Sequence, residues 1–285
     1  MITISRPAKL FLFSILIVAL AGCSPLTLVN SLAPDHGFVV EQGKYYGQRK
    51  RQKLDVYYPE VTRANAPVIV FFYGGSWRRG DRERYRFVGQ ALSSQGYLTI
   101  IPDYRLYPEV QFPAFVEDGA ASVAWIKQNI PQSENGIVLI GHSAGAHLAA
   151  LLALDGRYLH DKGVRQNSII GMIGLAGPYA FEPEEYRRFR PIFATAKPAE
   201  LSQPVSHARG DAPPLLLLHG TGDRVVLPLH SQLLQERINL EDGRVNSLEL
   251  EGVDHFGIVL ALSEPFSHLA PNLLPNIEAF IEDQI

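Results

Sequence analysis

The sequence predicts an α/β fold: a mostly parallel central sheet flanked by helices, with a small lid insertion. Three observations carry this. Short runs that are apolar at every position recur at 67–73, 137–141, 169–175 and 215–218, the pattern of strands buried on both faces. Stretches with apolar residues three and four apart lie between them. The two kinds of segment alternate along the chain, which is how a parallel sheet with helical crossovers reads in sequence.

The elements follow in chain order. Residues 53–58 alternate like a strand, and 67–73 is the first fully apolar run, built on Val68, Ile69, Val70, Phe71 and Phe72. Asp81 can cap a helix carrying Phe87, Val88, Ala91 and Leu92, with Gly96 closing it. The next strand is 97–102. Phe115, Val116, Ala120, Val123 and Ile126 stand at helical spacing over 113–130, and Pro131 stops that helix. A strand over 137–141 runs into a small-residue helix over 144–154. Strands follow at 169–175, 215–218 and 247–250, and helices at 229–240 and 273–281. The charged, proline-containing stretch 178–213 interrupts the rhythm and is read as a lid over the strand ends.

Composition bounds the function. Hydrophobic residues make up 46% of the 285 and charged residues 19%, which suits one folded domain over 37–285. The formal net charge is −3 with no basic stripe, which argues against a nucleic-acid partner. The dense basic run Arg187-Arg188-Phe189-Arg190 stands beside Glu182, Glu184 and Glu185 and reads as a solvated helix face. The single cysteine, Cys23, rules out an intramolecular disulfide. Its setting is distinctive: Arg6 and Lys9 precede an apolar run over 10–21, broken by Ser14, that suits a signal-peptide core and is short for a bilayer span. The run ends in Leu20-Ala21-Gly22-Cys23, which resembles the lipobox of bacterial lipoproteins. That resemblance implies removal of the signal peptide 1–22, lipidation of Cys23, and a membrane as partner. Ser24 after the cysteine points to the outer membrane, periplasmic side, if the source is Gram-negative. The stretch 23–36, with Pro25 and Pro34, reads as a tether.

Gly141-His142-Ser143-Ala144-Gly145 carries the chemistry. A lone G-x-S-x-G arises by chance in roughly one chain of this length in ten. Here a buried strand leads into the motif and a small-residue helix leaves it, the context that puts a serine on a tight exposed turn. A serine hydroxyl needs a base to take its proton, and this strand–turn–helix arrangement orders its partners as serine, acid, histidine. Asp223 closes a Gly-rich loop after the 215–218 strand, and His255 follows the next strand. Both fall at carboxyl ends of strands, where open α/β sheets bind ligands. Asp254 and Glu251 are rival acids, but Asp254 is adjacent to His255 and faces it with difficulty. Of the nine histidines only His255 meets both order and loop position. No His/Cys/Asp/Glu group has metal-ligand spacing and no cofactor is called for. Backbone donors for an oxyanion are expected from Ala144 and from the loop Tyr73-Gly74-Gly75-Ser76-Trp77.

These residues resemble the α/β-hydrolase superfamily, in its hormone-sensitive-lipase-like, acetyl-esterase and kynurenine-formamidase-like branch. Tyr73-Gly74-Gly75-Ser76-Trp77 is similar to the family's His-Gly-Gly-x-Trp oxyanion loop, which implies Gly75 and Ser76 as the loop's oxyanion donors. Asp103-Tyr104-Arg105-Leu106-Tyr107-Pro108-Glu109 and Phe112-Pro113-Ala114-Phe115-Val116-Glu117-Asp118 resemble the two segments that follow it. The resemblance implies an α/β-hydrolase fold and a serine carboxylesterase acting on a small-molecule, short-chain acyl ester, with Ser143, Asp223 and His255 as the triad. An arylformamidase or amidase on the same triad, or a surface-displayed binding protein that has kept the fold, are the alternatives. One departure stands out: Tyr73 replaces the histidine that braces the oxyanion loop in the family, so the loop must be held differently.

Overall fold

The computed structural model describes residues 25–285; the expected signal segment 1–22 and Cys23 lie outside the described residues. Among the described residues, eight strands form one sheet in the order β1-β2-β4-β3-β5-β6-β7-β8. They are β1 (Phe38–Tyr45), β2 (Lys53–Pro59), β3 (Val68–Phe72), β4 (Thr99–Pro102), β5 (Ile137–His142), β6 (Ile169–Leu175), β7 (Leu215–Gly220) and β8 (Val245–Leu250). β2 pairs antiparallel with both β1 and β4, and every other pairing is parallel. The expected mostly parallel sheet is therefore present.

The apolar runs became the central strands because their side chains are buried on both faces. All residues of β3, β4, β5 and β7 are buried. At the far edge, β8 alternates between half-buried and exposed positions. β1 escaped the sequence reading. It is an edge strand with Val39 and Tyr45 exposed and a bulge between Glu41 and Lys44, so its hydrophobic pattern is weak.

Helices α1 (Pro25–Leu32), α2 (Arg86–Ser94), α3 (Ala114–Asn129), α4 (Ala144–Leu154), α5 (Arg157–His160), α6 (Leu229–Leu240), α7 (Gly257–Leu260) and α8 (Leu273–Glu282) complete the layers. α4 is buried along its whole length, against β5, β6 and α3. Its alanines and glycine allow that approach. Three expectations need adjustment. Asp81 caps a 3-10 turn, Arg82–Tyr85, by accepting from the Arg84 N–H at 3.1 Å, and the α-helix starts only at Arg86. Part of the stretch read as a tether is the helix α1, which buries Val29. Asn30 ties α1 to the body, donating to the Glu83 carbonyl at 2.8 Å and accepting from the Phe87 N–H at 3.1 Å. The basic run 187–190 is exposed as expected but forms turns, not a helix. The 178–213 stretch holds short 3-10 segments, Pro183–Glu185, Ala199–Ser202 and Pro204–His207, with no strand.

Candidate active site

Parallel strands put their carboxyl ends on one edge, and β3, β5, β7 and β8 each deliver one part of the site there. β5 ends at His142 and α4 begins at Ala144, so Ser143 is the whole turn between them. Its backbone sits at φ 55°, ψ −122°, a conformation that costs a non-glycine residue on the order of 1–3 kcal/mol. Burial of α4 against the sheet holds it there. Gly145 makes the crossing possible: a methyl at that position would run into the Phe72 carbonyl of β3.

The three residues expected to act together meet. Ser143 Oγ lies 2.9 Å from His255 Nε2, and His255 Nδ1 lies 2.7 Å from Asp223 Oδ2. His255 and Asp223 are 4% and 3% exposed, so the line of hydrogen bonds is shielded from water except at the serine end. With Nδ1–H donated to the carboxylate, Nε2 is left as the acceptor facing the serine hydroxyl. Asp223 accepts further bonds at Oδ1, from the Val225 N–H at 2.8 Å and the Val226 N–H at 2.9 Å. Burial by itself would raise its pKa. Hydrogen bonds from His219, His255 and the Val226 backbone outweigh that and hold the carboxyl well below the usual range. The rival acid Asp254 is engaged elsewhere: its Oδ1 accepts from the Phe256 and Gly257 N–H groups at 3.1 and 2.6 Å, capping α7. Glu251 is exposed.

Two histidines that order and spacing passed over support the site. His219 is buried at the end of β7. Its Nε2 donates to the Val226 carbonyl at 2.8 Å, and its Nδ1 meets Ser231 Oγ at 2.8 Å. Nε2 also comes within 3.4 Å of Asp223 Oδ2, a long secondary contact, so its main work is to hold the Asp223 loop. His142, beside the nucleophile, donates from Nε2 to the His255 carbonyl at 2.9 Å. Burial first, and the neighbouring His255 second, push its pKa down to about 3, so it stays neutral. No sequence motif marks either role, because each depends on a backbone carbonyl brought in from another loop.

The candidate oxyanion donors surround the serine. Ala144 is the first residue of α4, where N–H groups have no intrahelical acceptor. Gly75 and Ser76 lie in the loop leaving β3. A methyl on Gly74 would stand 3.0 Å from Ser143 Cβ, so this loop backbone lies directly against the nucleophile. Ser76 and Trp77 both take φ 56°. Among the described residues, the N–H groups of Gly75, Ser76 and Ala144 have no protein acceptor, the state expected of donors kept for a substrate oxygen.

Tyr73 shows how the loop is held without its histidine. Its hydroxyl donates to Asp103 Oδ1 at 2.7 Å and accepts from Arg51 Nη2 at 2.9 Å, and its carbonyl accepts from the Tyr104 hydroxyl at 2.6 Å. Its ring stacks between Tyr85 and Tyr104, with centroids 5.4 and 4.8 Å away. Asp103 is in turn bound by Arg82 through Nη1 at 2.7 Å, and Arg82 Nε reaches Asp55 at 2.7 Å. Arg105 grips Asp118 with two bonds of 2.8 Å. The two sequence segments after the oxyanion loop are thus braces, not reactants. At the other end of the loop, Trp77 stacks on Phe181 at 5.4 Å and meets Phe193 edge-on at 4.9 Å, which seats the 178–213 stretch against the site.

Several known proteins are similar to this chain. The sequence profile of the BD-FAE family matches residues 54–238. The chain is 29% identical over 233 residues to Esterase LipC of Mycobacterium tuberculosis, covering 74% of this chain and 58% of that protein. It is 26% identical over 238 residues to a probable isoprenylcysteine alpha-carbonyl methylesterase of Oryza sativa subsp. japonica, covering 75% and 58%. The chain therefore spans less than two thirds of the length of these curated relatives. Inhibited esterase B from Lactobacillus rhamnosis has the same fold, with a TM-score of 0.77, 22% identity, and coverage of 96% and 97% of the two chains. The profile match spans most of the chain and includes Ser143 and Asp223, and the fold is that of the esterase neighbours: the chain belongs to the BD-FAE family, on an α/β-hydrolase fold.

Proposed function

We propose that this chain is a serine carboxylesterase acting on short-chain acyl esters through an acyl-enzyme on Ser143. The observation that carries the reading is the unbroken line from Ser143 Oγ through His255 to Asp223, with bonds of 2.9 and 2.7 Å. His255 Nε2 takes the serine proton as Oγ attacks the ester carbonyl. Asp223 holds the ring in the right tautomer and stabilises the imidazolium. The N–H groups of Gly75, Ser76 and Ala144 take the oxyanion. His255 then gives its proton to the leaving alcohol, and a water activated by the same ring releases the acyl group. The names of the esterase relatives support carboxylic esters as the substrate class.

The test is Ser143→Ala assayed on p-nitrophenyl acetate, beside wild type. Turnover should fall by about four or more orders of magnitude, the cost of removing the nucleophile of such a unit. Turnover near the wild-type level would end the reading. Running N-formylkynurenine in parallel separates the ester reading from a formamidase: the ester should be the better substrate. Attachment to a membrane through lipid on Cys23 belongs to the same proposal. It rests on the Leu20-Ala21-Gly22-Cys23 pattern, and Cys23→Ser should release the protein from the membrane fraction.

A further inference from the structure

Among the described residues, half of the eighteen arginines are matched to carboxylates. Arg51, Arg63, Arg82, Arg84, Arg86, Arg105, Arg157, Arg209 and Arg237 each have an acidic side chain within 4.0 Å. The other nine have no carboxylate within that distance among the described residues, and two of these, Arg78 and Arg188, are exposed and stand beside the oxyanion loop. Arg187 and Arg190, of the same turn as Arg188, are also among the nine. Glu182, Glu184 and Glu185 lie close in sequence, yet none pairs with them; Arg190 instead donates to the Glu184 backbone carbonyl at 2.8 Å.

Their position gives this group a meaning. Arg188 Nη2 donates to Ser76 Oγ at 3.3 Å, so a lid guanidinium stands over the residue whose N–H faces the reacting carbonyl in the reading above. Arg78 is two residues further along the same loop. Its Nη2 donates to the Arg188 carbonyl at 2.7 Å, and its guanidinium lies 4.3 Å from the centre of the Tyr107 ring. Arg78 is therefore tied to the Arg188 backbone and the Tyr107 ring, and Arg188 to Ser76. Exposed positive charges on neighbouring segments without a counter-ion favour an anion between them. A guanidinium also presents a planar fork that matches a carboxylate.

We propose that Arg78 and Arg188 form a carboxylate-recognition site beside the oxyanion loop that faces Ser143, so that the preferred esters carry a carboxylate on their acyl or alcohol portion. This rests on the ester-hydrolase reading for its chemistry, but the carboxylate site itself is a binding claim. The substrates it selects are half-esters of dicarboxylic acids, or esters of hydroxy acids, ahead of neutral esters of the same size.

The experiment uses matched pairs: mono-p-nitrophenyl glutarate against p-nitrophenyl valerate, and 4-acetoxybenzoate against 4-tolyl acetate. For each pair the ratio of kcat/KM, charged over neutral, is measured in wild type, in Arg78→Gln/Arg188→Gln and in Arg78→Lys/Arg188→Lys. In at least one pair the glutamine variant should lower the ratio about tenfold, the scale of a charge-assisted hydrogen bond. The lysine variant should keep most of the ratio, and about 0.5 M NaCl should depress it in wild type because exposed charges are screened. Ratios that are the same in wild type and both variants overturn the proposal. A binding arm separates the two readings: calorimetric affinity of 4-acetamidobenzoate against 4-methylacetanilide, in the same three proteins. If no ester is turned over but the carboxylate still binds in an arginine-dependent way, the hydrolase reading fails and this site stands. If esters are turned over and neither ratio nor affinity moves, the site fails and the hydrolase reading stands.

Discussion

Two arms close on Ser143, and they are held in place by opposite means. The oxyanion arm, 73–80, is braced by ion pairs: Asp103 and Asp55 are nearly or wholly buried and joined through Arg82, while Arg51 donates to both the Tyr73 hydroxyl and the Gly80 carbonyl. The histidine arm, 253–257, is held by imidazole rings bonded to backbone carbonyls. His142 donates to the His255 carbonyl, and His219 holds the Asp223 loop through Val226. Asp223 is the one carboxylate that the second arm sets against its histidine. The difference teaches what each arm is for. The first has to be rigid and carries no proton in the proposed cycle, so buried ion pairs suit it. The second has to let one ring gain and lose a proton, so its supports must not compete for that proton. A neutral His142, kept so by burial, meets the requirement.

The contrast can be attacked from either side. The largest effect is expected on the histidine arm: Asp223→Asn should cut kcat on p-nitrophenyl acetate by about 10³–10⁴, because the amide favours the wrong tautomer of His255 and does not stabilise its cation. The fold should survive, so a normal circular-dichroism spectrum with a loss of less than tenfold would show that Asp223 is not the orienting acid. On the oxyanion arm, Asp103→Asn should act on stability instead. It strips the charge from a buried partner of Arg82 and should cost about 3–5 kcal/mol in urea unfolding. A change below about 1 kcal/mol would mean that the charge network does not brace the loop.

The third prediction concerns pH. The pKa of His142 is pushed down to about 3 in the folded protein, mainly by burial and then by His255. As pH falls below about 6.5 the unfolded chain takes up a proton that the folded chain refuses, so stability is lost as pH falls toward the folded value. His147, whose pKa burial lowers to about 4, adds to the same slope. His142→Gln keeps a donor and removes the titration, so the stability lost between pH 7 and pH 4 should shrink by about 2–3 kcal/mol. Parallel curves for the variant and wild type would sink the idea. The smallest effect belongs to Tyr73→Phe. It deletes the hydroxyl between Asp103 and Arg51 and should cost about 1–2 kcal/mol of stability. A loss as large as that of Asp103→Asn would instead make the tyrosine the central brace.

How much of this was legible in the sequence varies with the kind of interaction. The central strands and α4 were readable to within a residue or two, because continuous apolar runs and a small-residue helix each satisfy only one buried environment. The meeting of Ser143, Asp223 and His255 was readable too, since each residue sits at the end of a parallel strand and all such ends share one edge. The edge strand β1, the docked helix α1 and the turn at 187–190 were not. Their exposed or mixed positions leave no strong period, and their conformation is decided by what they rest on.

The sequence alone determined the α/β layering, the strand–turn–helix at Ser143 and the order of its partners, because local period and turn chemistry act within a few residues. Only the tertiary structure decided that Asp254 caps α7 and leaves His255 to Asp223, that Tyr73 stands in for a histidine by reaching Asp103, and that His142 anchors the His255 loop. The Asp254 cap is local, but which acid faces His255 is settled only when the loops after β7 and β8 meet; the other two are hydrogen bonds whose geometry exists only once distant loops have packed against each other, and no spacing along the chain encodes them.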